Sequence, residues 1–223
     1  KAAGGEGTEI VPVKGTYKGI RQGTGFKHKN YSKHSKSTVA QTTDAVLMTA
    51  AEVWFLRAEA ALRGWSSENP GSCYENGVKA SFAQWGAKEV ATYLESTKTP
   101  KDYLDAFDAS FNAKAVGTVT PAWDNAATNE EKLEKIITQK WIACFPEGCE
   151  AWAEQRRTGY PKLFPVLVND SQGTIDSKLG PRRLNFFVGI KTANPDQYAA
   201  LVTALGGADN CGTRLWWDTG RNF

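Results

Sequence analysis

Three carboxylates, Glu147, Glu150 and Glu154, fall close together at spacings that place them on one turn-rich stretch of helix. Paired carboxyl groups can hydrolyse a glycosidic bond, one as acid and the other as base or nucleophile. That is the best enzymatic chemistry these residues suggest, and Glu147 or Glu154 would carry it. Arg156 and Arg157 follow at once, and ion pairing uses the same residues with no chemistry at all. The two histidines, His28 and His34, lie in a basic coil away from any G-x-S-x-G nucleophile motif. No P-loop, dinucleotide fingerprint or H-E-x-x-H is present, so no cofactor is expected. Cys144 and Cys149 flank a turn at a spacing that fits neither a zinc knuckle nor a redox C-x-x-C, so no metal site is expected. One pair among Cys73, Cys144, Cys149 and Cys211 could be bridged; buried free thiols fit equally well.

Aromatic residues are plentiful where imidazoles are scarce: eight Trp, seven Tyr and ten Phe against two His. That balance favours binding or packing over acid–base catalysis. Trp54, Trp65, Trp85, Trp141 and Trp152 recur at helical core spacings and read as packing. Tyr17, Phe26, Tyr31 and Trp123 fall in loop-like stretches, where a ring can stack on the C–H face of a sugar while polar neighbours bond its hydroxyls. Arg21 and Asn30 could be such neighbours. The ligand-contact candidates are therefore Tyr17, Arg21, Tyr31 and Trp123. The basic run over 27–37 reads as a solvated loop, with a phosphate-binding patch as the rival reading. A net charge of +3 gives no case for a nucleic-acid partner.

The elements that would position these groups are helices. The chain has 223 residues and no apolar run near the ~20 residues that cross a bilayer as a helix. Residues 1–45 read as irregular, 46–158 as helical pairs, and 159–223 as coil with one helix and an aromatic tail. A helix begins near Leu47, with Ala51, Trp54, Phe55, Ala58, Leu62 and Trp65 on one stripe and Glu59 four residues before Arg63. A second is expected over about Tyr74 to Leu94, with a possible break at Gly86. Thr99-Pro100-Lys101-Asp102 reads as a helix start, followed by Leu104, Phe107 and Phe111. The clearest helix is 129–145. It opens on a capping box at Thr128 and Glu131 and buries Leu133, Ile136, Ile137, Trp141 and Cys144. A shorter helix follows Pro146 and must return antiparallel. A last one runs from Asn194-Pro195 to Gly206. Paired helices of this length suggest a tetratricopeptide-like class, without its detailed repeat signature.

Several of these stretches together resemble a known family. Leu47-Met-Thr-Ala-Ala-Glu-Val-Trp-Phe-Leu-Arg-Ala-Glu-Ala-Ala-Leu-Arg-Gly-Trp65 is similar to a helix of the SusD/RagB-type nutrient-binding lipoproteins of Bacteroidetes. Ile137-Thr-Gln-Lys-Trp-Ile-Ala143, then Glu150-Ala-Trp-Ala-Glu-Gln-Arg-Arg-Thr-Gly-Tyr-Pro161, then Arg182-Arg183-Leu184 and Leu215-Trp-Trp-Asp218 follow in the family's order. The resemblance implies a mainly α fold: tetratricopeptide-like helical pairs packed against a long irregular, loop-rich subdomain. It implies a single domain that is the C-terminal portion of a longer protein and packs against that protein's N-terminal part. It also implies a lipid anchor in the outer membrane, facing outward, and delivery of ligand to a TonB-dependent, SusC-like transporter. No catalysis is implied. The expected ligand is a glycan, with a peptide-binding member of the family, or a helical-repeat scaffold for another protein, as alternatives. Glu59, Arg156 and Arg157 are expected to pin helices through ion pairs and carbonyl contacts. Trp216 and Trp217 are expected to close the core.

Overall fold

A computed structural model describes residues 21–23, 46–105 and 108–223. Among these the chain is helical, with seven α-helices and no strand beyond an isolated bridge between Tyr103 and Ala113. None of these helices is long and apolar enough to cross a membrane.

Helix α1 spans Ala50–Leu62, and the Thr49 side chain accepts from the Glu52 amide at its start. Ala51, Phe55 and Ala58 form its buried stripe, with Trp54 and Leu62 packed beside it. The stripe stops there: Trp65 lies beyond the last turn and is 74% exposed. Helix α2 spans Pro70–Trp85. It starts earlier than expected, because Asn69 caps the Ser72 amide and Pro70 occupies the first helical turn, a start signal that also reads as a loop. Gly77 explains how closely the two helices approach. A Cβ there would sit 2.7 Å from the Phe55 ring. The helix ends at Gly86, whose φ of 62° closes the last turn in the left-handed region. Helix α3, Val90–Leu94, follows as a separate piece.

The helix expected after Pro100 does not form. The Asp102 carboxylate accepts from the Ala115 amide and from Lys114, and Tyr103 exchanges backbone hydrogen bonds with Ala113. These local bonds offer the backbone an alternative to a helical ladder. Among the described residues of this stretch only a 3-10 turn over Ala109–Phe111 remains. Phe107 lies outside the described residues.

Helix α4, Asn129–Ala143, has the full reciprocal capping box between Thr128 and Glu131. Leu133, Ile136 and Ile137 are completely buried against α1 and α2. Trp141 is half-exposed, and its expected place in the core is taken by Lys140, 1% exposed. Helix α5, Gly148–Thr158, returns antiparallel to α4. Lys140 meets Glu150 and Glu154, while further on Tyr160 donates to Glu130 and Lys162 to Glu134.

Residues beyond 162 are mostly irregular and carry one more helix than expected. Helix α6, Val188–Ala193, runs into α7, Pro195–Leu205. Asn194 serves both: its amide closes α6 onto Ile190, and its side chain accepts from the Gln197 amide to open α7. Helix α6 has no side-chain cap and no buried residue, so its sequence gives no periodic signal. All four cysteines are free, with Cys73 and Cys144 buried.

Candidate functional site

The core is crossed by a chain of charges. Arg63 bonds Glu59 at 2.8 Å; Arg157 takes both oxygens of Glu59, at 2.7 and 2.6 Å, and reaches Glu154 at 2.6 Å. Glu154 also accepts from Lys140 at 3.0 Å, and Lys140 reaches Glu150 at 2.7 Å and Glu52 at 3.9 Å. The fork of Arg157 matches a carboxylate in two-point geometry that lysine cannot copy. The chain holds three cations and four carboxylates, and the imbalance falls on Glu52. Burial raises the Glu52 carboxyl above its ordinary value, with Lys140 only partly offsetting it. Burial pushes the other way on Lys140, yet Glu150 and Glu154 outweigh it and hold the ammonium charged. Of the three carboxylates suggested for acid–base work, Glu150 and Glu154 are thus engaged as ion-pair partners inside the frame.

A second set of charged contacts fastens the C-terminal segment. Arg182 places two bonds of 2.7 Å on Asp218, and Arg214 adds one of 2.8 Å. Arg182 also donates to the carbonyl of Arg156, which returns a bond of 3.1 Å to the carbonyl of Arg182. The Arg156 guanidinium lies between Trp152 and Trp217, 4.3 and 5.0 Å from their ring centres. Arg183 bonds Asp209, and Asp209 accepts also from the Phe186 amide and from Tyr198. So Arg156 and Arg157 act as expected. Trp216 does not: it is 91% exposed, at the corner of a turn closed by the Asp218 amide on the Leu215 carbonyl. The buried anchor of the tail is Asp218.

Of the four ligand-contact candidates, Tyr17 and Tyr31 lie outside the described residues, as do Phe26, Asn30, both histidines and the basic run over 27–37. Arg21 binds main chain, donating to the carbonyls of Phe111, Asn112 and Pro165. Trp123 rests one face near Tyr74, centroids 5.2 Å apart, above Gly71, and its indole N–H donates to Asn125 at 3.0 Å. Arg21 and Trp123 share no contact.

Concave space lies elsewhere, along the side of α4 that faces away from α1. A cavity of about 220 Å³ is lined by Tyr93, Lys98, Thr99, Thr120, Thr138 and Gln139, among others. A second, of about 160 Å³, lies over Lys101, Gly117, Glu134, Lys162 and Phe164. Pro100, Val119 and Thr138 line both, so the two are lobes of one cleft. Its floor is set by Lys135, buried and donating to the carbonyl and hydroxyl of Thr120 and the carbonyl of Ala122 at 2.8 to 2.9 Å. Burial lowers its ammonium below the ordinary lysine value. Tyr93 and Gln139 bond each other across the wall. Sequence reading missed both Lys135 and Lys140. The available signal for Lys140 was a lysine on an apolar stripe opposite three unassigned carboxylates. Among the described residues no group of three His, Cys, Asp or Glu side chains is placed to hold a metal.

Comparison with known proteins is specific. Residues 6–218 match the family model described as SusD-like, Susd and RagB outer membrane lipoprotein. A SusD homologue of Bacteroides vulgatus is 56% identical, with a TM-score of 0.81 over 88% of this chain and 40% of its own. A chitin-binding SusD homologue of Flavobacterium johnsoniae is 55% identical, with a TM-score of 0.74 over 78% of this chain and 37% of its own. A SusD-like protein of Bacteroides thetaiotaomicron, 36% identical, gives 0.83 over 93% of this chain and 45% of its own. The chain thus spans about two fifths of the length of these relatives. No curated protein matches it.

Proposed function

Because the chain belongs to the SusD-like family of outer membrane lipoproteins, we propose that it serves to bind a nutrient, an oligosaccharide in the first instance, and carries out no chemistry on it. The observation that carries this reading is the 55% identity to a chitin-binding homologue over most of the chain. Two further points support it. Glu154, one of the two carboxylates a hydrolase would use, is held by Lys140 and Arg157. The helical pairs form a frame locked by buried charge, which suits holding a ligand in fixed geometry.

The proposal extends to the setting. The protein sits on the outer face of the outer membrane by a lipid anchor, its described helices being too short and polar to span one. It passes its ligand to a TonB-dependent, SusC-like transporter and works together with the N-terminal part of the same protein. Tyr17, Arg21, Tyr31 and Trp123 are the proposed ligand contacts. Trp123 would offer the ring face turned away from Tyr74, and Arg21 would meet the ligand while held in place by the carbonyls of Phe111, Asn112 and Pro165.

Titration calorimetry of the purified protein against chitin-derived oligosaccharides, maltooligosaccharides and a peptide pool tests this. Saturable heat with a sugar series and none with peptides is the expected result. Heat with peptides alone would assign the protein to peptide uptake. Product release from any oligosaccharide, abolished by Glu147→Gln or Glu154→Gln, would overturn the non-catalytic reading.

A further inference from the structure

The cleft beside α4 has a charge pattern that a neutral sugar does not need. Among the described residues its larger lobe is lined by two lysines, Lys98 and Lys135, and by no carboxylate. Lys135 is buried, and all three of its hydrogen bonds go to neutral oxygens. Its charge is therefore solvated by dipoles, and the carboxylates of Asp124, Glu131 and Glu134 act on it only through space, without a direct ion pair. A buried cation with no carboxylate hydrogen-bonded to it raises the local potential more than a surface one, because the surroundings screen it weakly. In the smaller lobe Glu134 is matched by Lys162 at 2.8 Å, which leaves Lys101 without an acid partner among the lining residues. Thr99 and Thr138 line the same space and bring hydroxyl groups to its wall. Tyr93 and Pro100 add apolar surface beside them.

We propose that this cleft is a subsite for a carboxylate-bearing sugar unit, such as a uronic acid within an oligosaccharide. The carboxylate sits toward Lys98 and over the Lys135 charge, and ring hydroxyls pair with Thr99 and Thr138. Each lobe is smaller than the ~300–1,000 Å³ of a drug-sized pocket, so the site takes one ring, with a neighbouring ring extending toward Lys101. The inference deepens the glycan-binding reading and rests on it.

The test compares galacturonic acid oligosaccharides with neutral galactose oligosaccharides of the same length by calorimetry. It uses the protein, its Lys98→Gln variant and its Thr138→Val variant. Acidic sugars are expected to bind about tenfold more tightly than neutral ones, the range of one charge-assisted hydrogen bond. The advantage should shrink as salt rises from 20 to about 500 mM. Lys98→Gln should abolish it while leaving the thermal unfolding midpoint unchanged, since Lys98 forms no ion pair in the frame. Thr138→Val should weaken acidic and neutral sugars alike. Equal affinity for the two sugar series would overturn the proposal, as would an acidic preference that survives both variants. In either case binding of chitin-derived oligosaccharides would leave the broader glycan-binding reading standing. Preference for acidic peptides over acidic sugars, lost in Lys98→Gln, would overturn the sugar assignment.

Discussion

Around Phe55 three helices share one apolar cluster. Phe55, Tyr74, Val78, Leu133, Ile136 and Ile137 are nearly or wholly removed from water there, and the charge chain from Arg63 to Glu52 runs alongside. Around Asp218 the segment's own helices, α6 and α7, contribute no buried residue. The C-terminal segment is held instead by arginines on two aspartates and on main-chain carbonyls. The first region is stabilised chiefly by area taken out of water, which is non-directional and indifferent to pH. The second depends on a few charge-assisted hydrogen bonds of fixed geometry. Each should therefore fail in its own way.

The largest effect belongs to the frame. Phe55→Ala should lower unfolding stability by about 3–5 kcal/mol, read as a shift in denaturant midpoint. Its loss should expose frame and tail together, because the tail docks on α5. Next, Arg182→Ala removes the main partner of buried Asp218, a change costing about 3–5 kcal/mol at such sites. Here the damage should be local: rapid hydrogen exchange and proteolysis over 180–218, with α1, α2 and α4 still protected. Global unfolding at the Phe55→Ala midpoint would erase the distinction between the two regions.

Acid should separate them without mutation. Burial pushes the carboxyl of Asp218 up, but the bonds and charges of Arg182 and Arg214 outweigh it and hold it below its usual value. Asp209 is likewise lowered against burial, by the Phe186 amide, Arg183 and Tyr198. A depressed carboxyl contributes stability that is present above its unfolded value, about 3.9, and is lost as pH falls through the folded one. In the frame Glu59 behaves in the same way, held down by Arg157 and Arg63 against burial. Glu52 is raised, so its contribution runs in the opposite sense and improves on acidification. Below about pH 4, then, exchange over 180–218 should quicken before that of α4. The smallest effect is Thr128→Ala, which removes one half of the capping box and should cost about 1 kcal/mol by denaturant midpoint, with the tail unaffected.

These contrasts also explain what could be read in advance. The box at Thr128 and Glu131 and the Asn194-Pro195 start are signals confined to one turn, and both appear in the structure; the stripe of α4 appears too, except at Trp141. Ion pairing by Glu59 and by Arg157 was expected, but not that they pair with each other, since nothing in local spacing joins residues 98 positions apart. Lys140 was hidden because its residue type suggests solvent although its position falls on the apolar stripe, and its partners sit on α1 and α5. The start of α2 was hidden because Asn-Pro serves turns and helices alike. Trp216 and Trp217 are chemically identical and adjacent; only the turn at Leu215–Asp218 decides which ring meets Arg156. The cleft was not legible at all. Its walls come from segments near 98–101, 115–121 and 162–164, and they meet only once the expected helix after Pro100 has failed to form.

Many of the fastenings between distant segments share a feature already met at Arg21, Lys135 and Arg156: a side-chain donor ends on a backbone carbonyl. Arg21 does so on Phe111 and Pro165, Arg63 on Asn222, Tyr74 on Pro121, Lys135 on Ala122, Trp152 on Pro181, and Arg156 and Arg182 on each other. A carbonyl is supplied by every amino acid, so the receiving position is free to change its side chain without losing the bond. Seams of this kind leave no paired substitutions for a statistical search to find, and grafting the donor alone should carry the joint into a distant sequence.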